Sequence, residues 1–230
     1  MPKLIEIIGS PGSGKTFIST EMQMLKKNSE QIYFHSSNWR NFNKFENLNI
    51  LSKILIKIKV LINIIYFYFI FYKRLFLKKI YKRGFFFRII LLIYRHLVSI
   101  ELLKKSLSDE DYLIMEPGII MYFLQDYFYS EKGITQKEIE NFNKLFVKTD
   151  YIICTNCDSN TSIKRLKSRD RGLPQRMRDL TIDEINRTIK KSNKIIDEYI
   201  LNNNLNLKII KIDTSNNVEE IRSKLLSFFS

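Results

Sequence analysis

Short apolar runs alternate along this chain with longer stretches at helical spacing. Leu4, Ile5, Ile7 and Ile8 make Lys3 to Ile8 a short buried strand. A glycine-rich turn follows, then a helix from about Lys15 to Lys27, and Gln31 to His35 reads as a second strand. Strand, helix and strand at this spacing form a βαβ unit, which predicts a parallel sheet. Ser36 to Asn49 is polar and reads as a loop. The α/β rhythm returns at Asp111. Tyr112 to Met115 is a strand ending at Glu116, Tyr151 to Cys154 another, and Leu207 to Ile212 the last. Thr135 with Glu138, and Thr181 with Glu184, are capping-box pairs that open helices running to about Val147 and Leu201. A helix over about Thr161 to Arg169 and a closing one over Val218 to Phe229 complete the pattern. The expected fold is a three-layer α/β architecture, residues 1–230 forming one domain around a parallel sheet of about five strands.

The stretch from Leu51 to Leu107 breaks the rhythm. It is rich in Ile, Leu, Phe and Tyr and studded with Lys and Arg. Its longest charge-free run, Val60 to Tyr72, is thirteen residues, short of the roughly twenty a membrane-spanning helix needs. Gly84 offers a break, and a basic helical hairpin inserted at about 49–108 is expected. Charge sharpens this picture. The chain carries +14, and between Lys53 and Lys105 thirteen cations face one acid, Glu101, so this segment holds +12 of it. The basic balance is therefore local. Three readings of the hairpin stand: a cap over a small-molecule acceptor site, an anionic membrane surface met through residues 53–105, or a nucleic-acid or protein partner. Apolar stripes are core more often than interface, which favours the first and makes nucleic acid the weaker reading. Two cysteines, Cys154 and Cys157, give no disulfide framework. The Met-Pro-Lys start leading straight into a strand is no signal peptide, so a cytoplasmic location is expected, with peripheral membrane attachment through the hairpin as the variant.

The chemistry concentrates in Gly9-Ser10-Pro11-Gly12-Ser13-Gly14-Lys15-Thr16, a full G-x-x-x-x-G-K-[ST] between a strand and a helix. Glycines let successive amides turn inward toward phosphate oxygens, and the helix N-terminus adds positive potential. Lys15 reaches the β- and γ-phosphates, and the Thr16 hydroxyl ligates Mg²⁺. The pattern calls for ATP and Mg²⁺. Glu116, at the carboxyl end of the third strand, stands where an acid can orient Mg²⁺ or take a proton; the bland alternative is a strand-edge glutamate. Arg165 and Arg169 lie four apart on one expected helix and so share a face, and Arg171, Arg176 and Arg178 follow in a loop. Such guanidinium groups neutralise charge on a transferring phosphoryl group, or they form a solvated basic face. Arg40 could meet an anionic acceptor or simply face water.

Cys154-Thr155-Asn156-Cys157 lacks the further ligands a zinc site needs. Thr155-Asn156-Cys157-Asp158 is a poor guanine-reading motif because its lysine is missing. His96 sits in an apolar helix and reads as a core or flank residue. The complete Gly-Lys-Thr ending argues against a sulfotransferase loop, and no Leu-Ser-Gly-Gly-type signature of a transporter ATPase occurs.

The N-terminal P-loop, Arg165-x-x-x-Arg169 after the fourth strand and the tail Leu207 to Phe229 resemble P-loop nucleoside and nucleotide kinases. The nearest likeness is to thymidylate-kinase-like proteins, including those encoded with surface-polysaccharide genes. It covers about 3–35 and 109–230. The resemblance implies phosphoryl transfer from ATP to a nucleotide- or sugar-like acceptor held opposite the P-loop. It places Lys15 and Thr16 at phosphate and Mg²⁺, and Arg165, Arg169 and Arg171 in an arginine lid over about 165–178. Related kinases are often homodimers. The chain departs from the family after the third strand, where Glu116-Pro117 replaces Asp-Arg and removes the substrate-orienting arginine. Glu116-Pro117-Gly118 is similar to the Arg-Glu-Pro-Gly of thymidylate kinases, but that motif follows the second strand. The rival expectation is a nucleotide-binding module at a membrane or in an assembly, without kinase turnover.

Overall fold

The computed structural model describes residues 2–25, 32–35, 49–75, 83–107, 109, 111–129, 133–146, 149–170, 172–203 and 207–229. Five strands, β1 (Lys3–Gly9), β2 (Ile32–His35), β3 (Tyr112–Met115), β4 (Tyr151–Asn156) and β5 (Lys208–Asp213), form one sheet in the order β2-β3-β1-β4-β5. Every neighbouring pair is parallel. β1 lies at the centre, and the chain leaves it for a strand two places away. The crevice outside the carboxyl ends of β1, β3 and β4 is therefore the topological switch point where α/β sheets take ligands.

Side chains alternate across β1 and sort the helices into two layers. Ile5 and Ile7 point to the face covered by α1 (Lys15–Leu25) and α8 (Val218–Phe229), where they meet Ile18, Met22, Ile221 and Leu225. Glu21 of α1 and Arg222 of α8 join these helices through a 2.6 Å ion pair. Leu4 and Ile8 point to the other face, covered by α4 (Ile119–Phe128), α5 (Gln136–Phe146) and α7 (Ile182–Leu201). Each such fully buried aliphatic side chain contributes on the order of 1.5–3 kcal/mol. The α7 capping box forms: the Thr181 hydroxyl accepts from the Glu184 amide, and the Glu184 carboxylate accepts from the Thr181 amide. Thr135 and Glu138 do the same ahead of α5.

The hairpin consists of α2 (Ile50–Leu75) and α3 (Arg83–Ser106). It is not an appendage. Ile56, Val60 and Ile64, one turn apart on α2, are buried with Ile100, Leu102 and Leu103 of α3 in the same apolar layer that covers Leu4, Ile8 and Leu113. α3 then feeds directly into β3. His96 is buried in α3, edge-on to the Tyr122 ring at 5.4 Å, as its apolar setting suggested. Among the described residues no helix is long and apolar enough to cross a membrane.

α4 is absent from the sequence reading. Ile119 to Leu124 is apolar almost throughout, and such a run shows no face. In the fold α4 is buried against α7, α3 and β1, so it needs no polar side there.

Candidate functional site

β1 ends at the loop Gly9–Thr16, whose shape depends on two glycines. Gly12 and Gly14 have φ of 82° and 83°. A Cβ on Gly12 would also sit 2.5 Å from the Ser162 carbonyl oxygen of α6 (Ser159–Lys167). The outer side of the loop is tied down. The Ser13 and Thr155 hydroxyls are 2.7 Å apart, and Thr155 lies on β4. The Thr214 hydroxyl, just past β5, donates to the Ser13 carbonyl at 2.9 Å. Cys157 Sγ lies 2.9 Å from the Ser162 hydroxyl and donates to the Gly12 carbonyl at 3.7 Å. The C-x-x-C pair thus serves packing: Cys157 seats the loop on α6, and burial pushes the Cys154 thiol up to about 11.

The inner side of the loop is polar and underused. Ser10 Oγ is buried and finds no hydrogen-bond partner among the described residues. Lys15 Nζ donates to the carbonyls of Gly9 and Ser10, both at 2.8 Å. A buried hydroxyl left over and an ammonium folded onto the carbonyls of its own loop together fit a triphosphate. Burial lowers the Lys15 pKa to about 8; the Glu116 carboxylate opposes the shift and the Arg169 charge adds to it.

This has a testable consequence. The unfolded chain holds the lysine proton between about 8 and the ordinary 10.5, so the empty protein gains stability as pH rises through that window. Phosphates beside Nζ restore the charge, so binding takes up a proton wherever the empty site has lost it. MgATP affinity is expected to be flat up to about pH 8 and then to fall by up to about tenfold per pH unit. Calorimetry in buffers of different ionisation heat should find uptake near zero at about pH 7, approaching one proton at about pH 9. Uptake that does not change with pH would contradict a desolvated Lys15.

Glu116 meets the loop from β3. The Thr16 hydroxyl donates to its Oε1 at 2.7 Å and the Ser19 hydroxyl to its Oε2 at 2.8 Å. Ser19 is a site residue the sequence reading missed; its signal is its place three residues after Thr16 on the same face of α1.

A second carboxylate lies behind the turn that follows Glu116, at the start of α4. Glu6 is 1% exposed, on the same face of β1 as Leu4 and Ile8. It accepts from the Ile120 amide at 3.0 Å and from the Thr149 hydroxyl at 2.8 Å. It therefore takes up one of the first-turn amides that α4 cannot satisfy internally. Burial pushes its pKa up to about 7 against those two bonds. Gly118 lies directly over it, and a Cβ there would stand 2.1 Å from Glu6 Oε2. Gly118→Ala is expected to cost about 2–3 kcal/mol, because either the carboxylate loses its bonds or α4 lifts. Urea denaturation measures this, and a change within about 0.5 kcal/mol would mean that the clamp is slack.

The arginines are less uniform than their spacing suggested. α6 stops at Lys167 with Ser168 as its C-cap, so Arg169 lies beyond the helix and does not share a face with Arg165. Arg165 is occupied: Nη1 donates to the Thr214 hydroxyl at 2.7 Å and Nη2 to the Thr214 carbonyl at 2.8 Å. It braces the turn that supports Ser13. Arg176 pairs with Asp126 of α4 at 3.8 Å and lies over the Tyr129 ring. Arg178 donates to the Leu173 carbonyl at 3.3 Å. Arg169 is exposed, and its charge is felt at Lys15. Arg171 and Arg40 lie outside the described residues.

No protein-family model and no curated protein matches the chain. Solved structures do match. Deoxyadenosine kinase from M. mycoides with bound dCTP is 16% identical, with 99% of this chain and 98% of that one covered and a TM-score of 0.53. The same enzyme with products dCMP and a flexible dCDP gives 16%, 98%, 98% and 0.56. With bound dATP it gives 15%, 99%, 98% and 0.54. The chain has the fold of a P-loop nucleoside kinase. The matched span includes α2 and α3 as well as the sheet, and at this identity it is the fold that is shared.

Proposed function

We propose that this protein is a P-loop phosphotransferase that moves the γ-phosphoryl group of ATP to a hydroxyl of a small acceptor, with a nucleoside as the favoured class. The observation that carries it is the pairing of Glu116 with Thr16 at the mouth of a complete P-loop, beside a half-buried Lys15 whose pKa is lowered. The nucleoside reading is supported by the fold shared with deoxyadenosine kinase over nearly the whole of both chains.

MgATP, when bound, supplies the electrophilic phosphorus. The amides of the loop and the Ser10 hydroxyl hold its phosphates, and Lys15 turns from the Gly9 and Ser10 carbonyls to meet them. Thr16 would offer its hydroxyl to Mg²⁺, which would come with the phosphates, since this cation seldom occupies an all-protein cage. Glu116 has two roles within reach. It orients the Thr16 side, and it is the nearby carboxylate that can take the proton of an acceptor hydroxyl. Arg169, whose charge is felt at Lys15, would meet developing charge, while Arg165 acts through Thr214 on the shape of the loop.

The acceptor class is read by following ADP release with MgATP and separate panels of deoxynucleosides, nucleoside monophosphates and hexoses. Release that depends on a nucleoside supports the reading. Dependence on a monophosphate would move the protein toward the thymidylate-kinase type, and release indifferent to every acceptor would count against a kinase.

A further inference from the structure

Over residues 50–65 α2 has two apolar faces, and among the described residues only one is covered. Ile56, Val60 and Ile64 are buried in the core. On the opposite side Leu51, Ile54, Leu55, Ile58, Ile62 and Ile65 remain exposed, from 45% for Ile54 to 67% for Leu51. At 100° per residue these six fall within a continuous arc of about 100°, and no charged residue interrupts it. The exposed Lys57 and Lys59 flank the arc, one on each side. A contiguous exposed apolar patch with polar residues at its rim marks an interaction surface.

Charge decides between occupants. From Leu51 to Ile100 the chain has eleven Lys and Arg and no Asp or Glu. A second copy docked on this face would bring an equally basic segment against the first, and like charge disfavours that contact. Nucleic acid needs cations across the contact face, whereas the described lysines beside it, Lys57 and Lys59, stand at its margins. An apolar centre with Lys57 and Lys59 at its margins, in a segment whose sequence is strongly basic, suits an anionic bilayer: the apolar arc enters the acyl boundary and the lysines reach the headgroups.

We propose that α2 is a membrane-surface helix, lying with its Leu51–Ile65 face in an anionic lipid leaflet. The test is flotation of the full chain with vesicles of phosphatidylcholine, with and without phosphatidylserine. Wild type is expected to float only with phosphatidylserine present, and less as salt is raised. The Leu55→Ser, Ile58→Ser, Ile62→Ser triple variant should lose flotation while its thermal melting shows it folded. If that variant is misfolded, the exposed pair Lys57→Gln, Lys59→Gln decides instead. It should weaken binding about thirtyfold, since each lysine near an anionic surface contributes roughly fivefold. Wild type that stays at the bottom, or variants that float as well as wild type, would overturn the proposal. So would a wild-type dimer that the serine variant dissociates, because the face would then belong to a second copy. Flotation does not depend on turnover, so its failure leaves the kinase reading standing.

Discussion

Glu116→Gln is expected to bind MgATP within a few-fold of wild type and to turn over roughly 10²–10³-fold more slowly. Glutamine keeps the shape of the side chain but exchanges one carboxylate oxygen for an amide donor. Both oxygens are in use, one accepting from Thr16 and one from Ser19. One hydroxyl must therefore turn away, and a group able to accept a proton is gone. A second effect follows from charge. The Glu116 carboxylate helps Lys15 to stay protonated. Without it the lysine pKa falls below about 8, and the loss of affinity with rising pH begins earlier. Steady-state kinetics across pH measure both effects. A variant with unchanged kcat would leave Glu116 as a strand-edge carboxylate. Ser19→Ala should be milder, because it frees one oxygen without removing the charge.

Lys15→Met should abolish turnover by roughly 10³-fold or more while leaving the protein as stable as wild type or nearly so. The two halves of this expectation have different causes. In the empty loop Lys15 is a desolvated cation, and methionine removes that cost along with two hydrogen bonds to the Gly9 and Ser10 carbonyls. These effects oppose each other in the folded state. In the loaded loop nothing replaces an ammonium that reaches the phosphates. Lys15→Arg should not rescue, since a planar guanidinium is too broad for the space lysine fills. A large drop in melting temperature for Lys15→Met would show that the lysine serves the fold, and the loss of turnover would then carry no mechanistic weight.

Much of this architecture could be read from the chain. The five strands, the capping-box helices and the closing helix over Val218–Phe229 fall where pattern and caps place them, because each carries local punctuation. The P-loop was legible for the same reason: its function is a backbone shape, and glycine positions write that shape into the sequence. What escaped depends on partners far along the chain. Glu6 is a lone carboxylate in an apolar strand, and its role emerges only when Ile120 and Thr149 close over it. α4 carried no period because both its faces are covered. Arg165 and Arg169 looked equivalent by spacing, yet a helix end at Lys167 and a threonine forty-nine residues on separate their duties. The basic hairpin was visible as composition, but composition could not say that Ile56, Val60 and Ile64 would join the core while Leu51, Leu55 and Ile62 stay exposed.

The most direct measurement is the fate of the labelled γ-phosphate of ATP when protein, Mg²⁺ and a deoxynucleoside panel are mixed. A kinase requires label to appear in a nucleoside monophosphate, one ADP for each label transferred, and neither product to form with Lys15→Met. Label found only in inorganic phosphate, or retained entirely in ATP with every acceptor, would contradict phosphoryl transfer at this site.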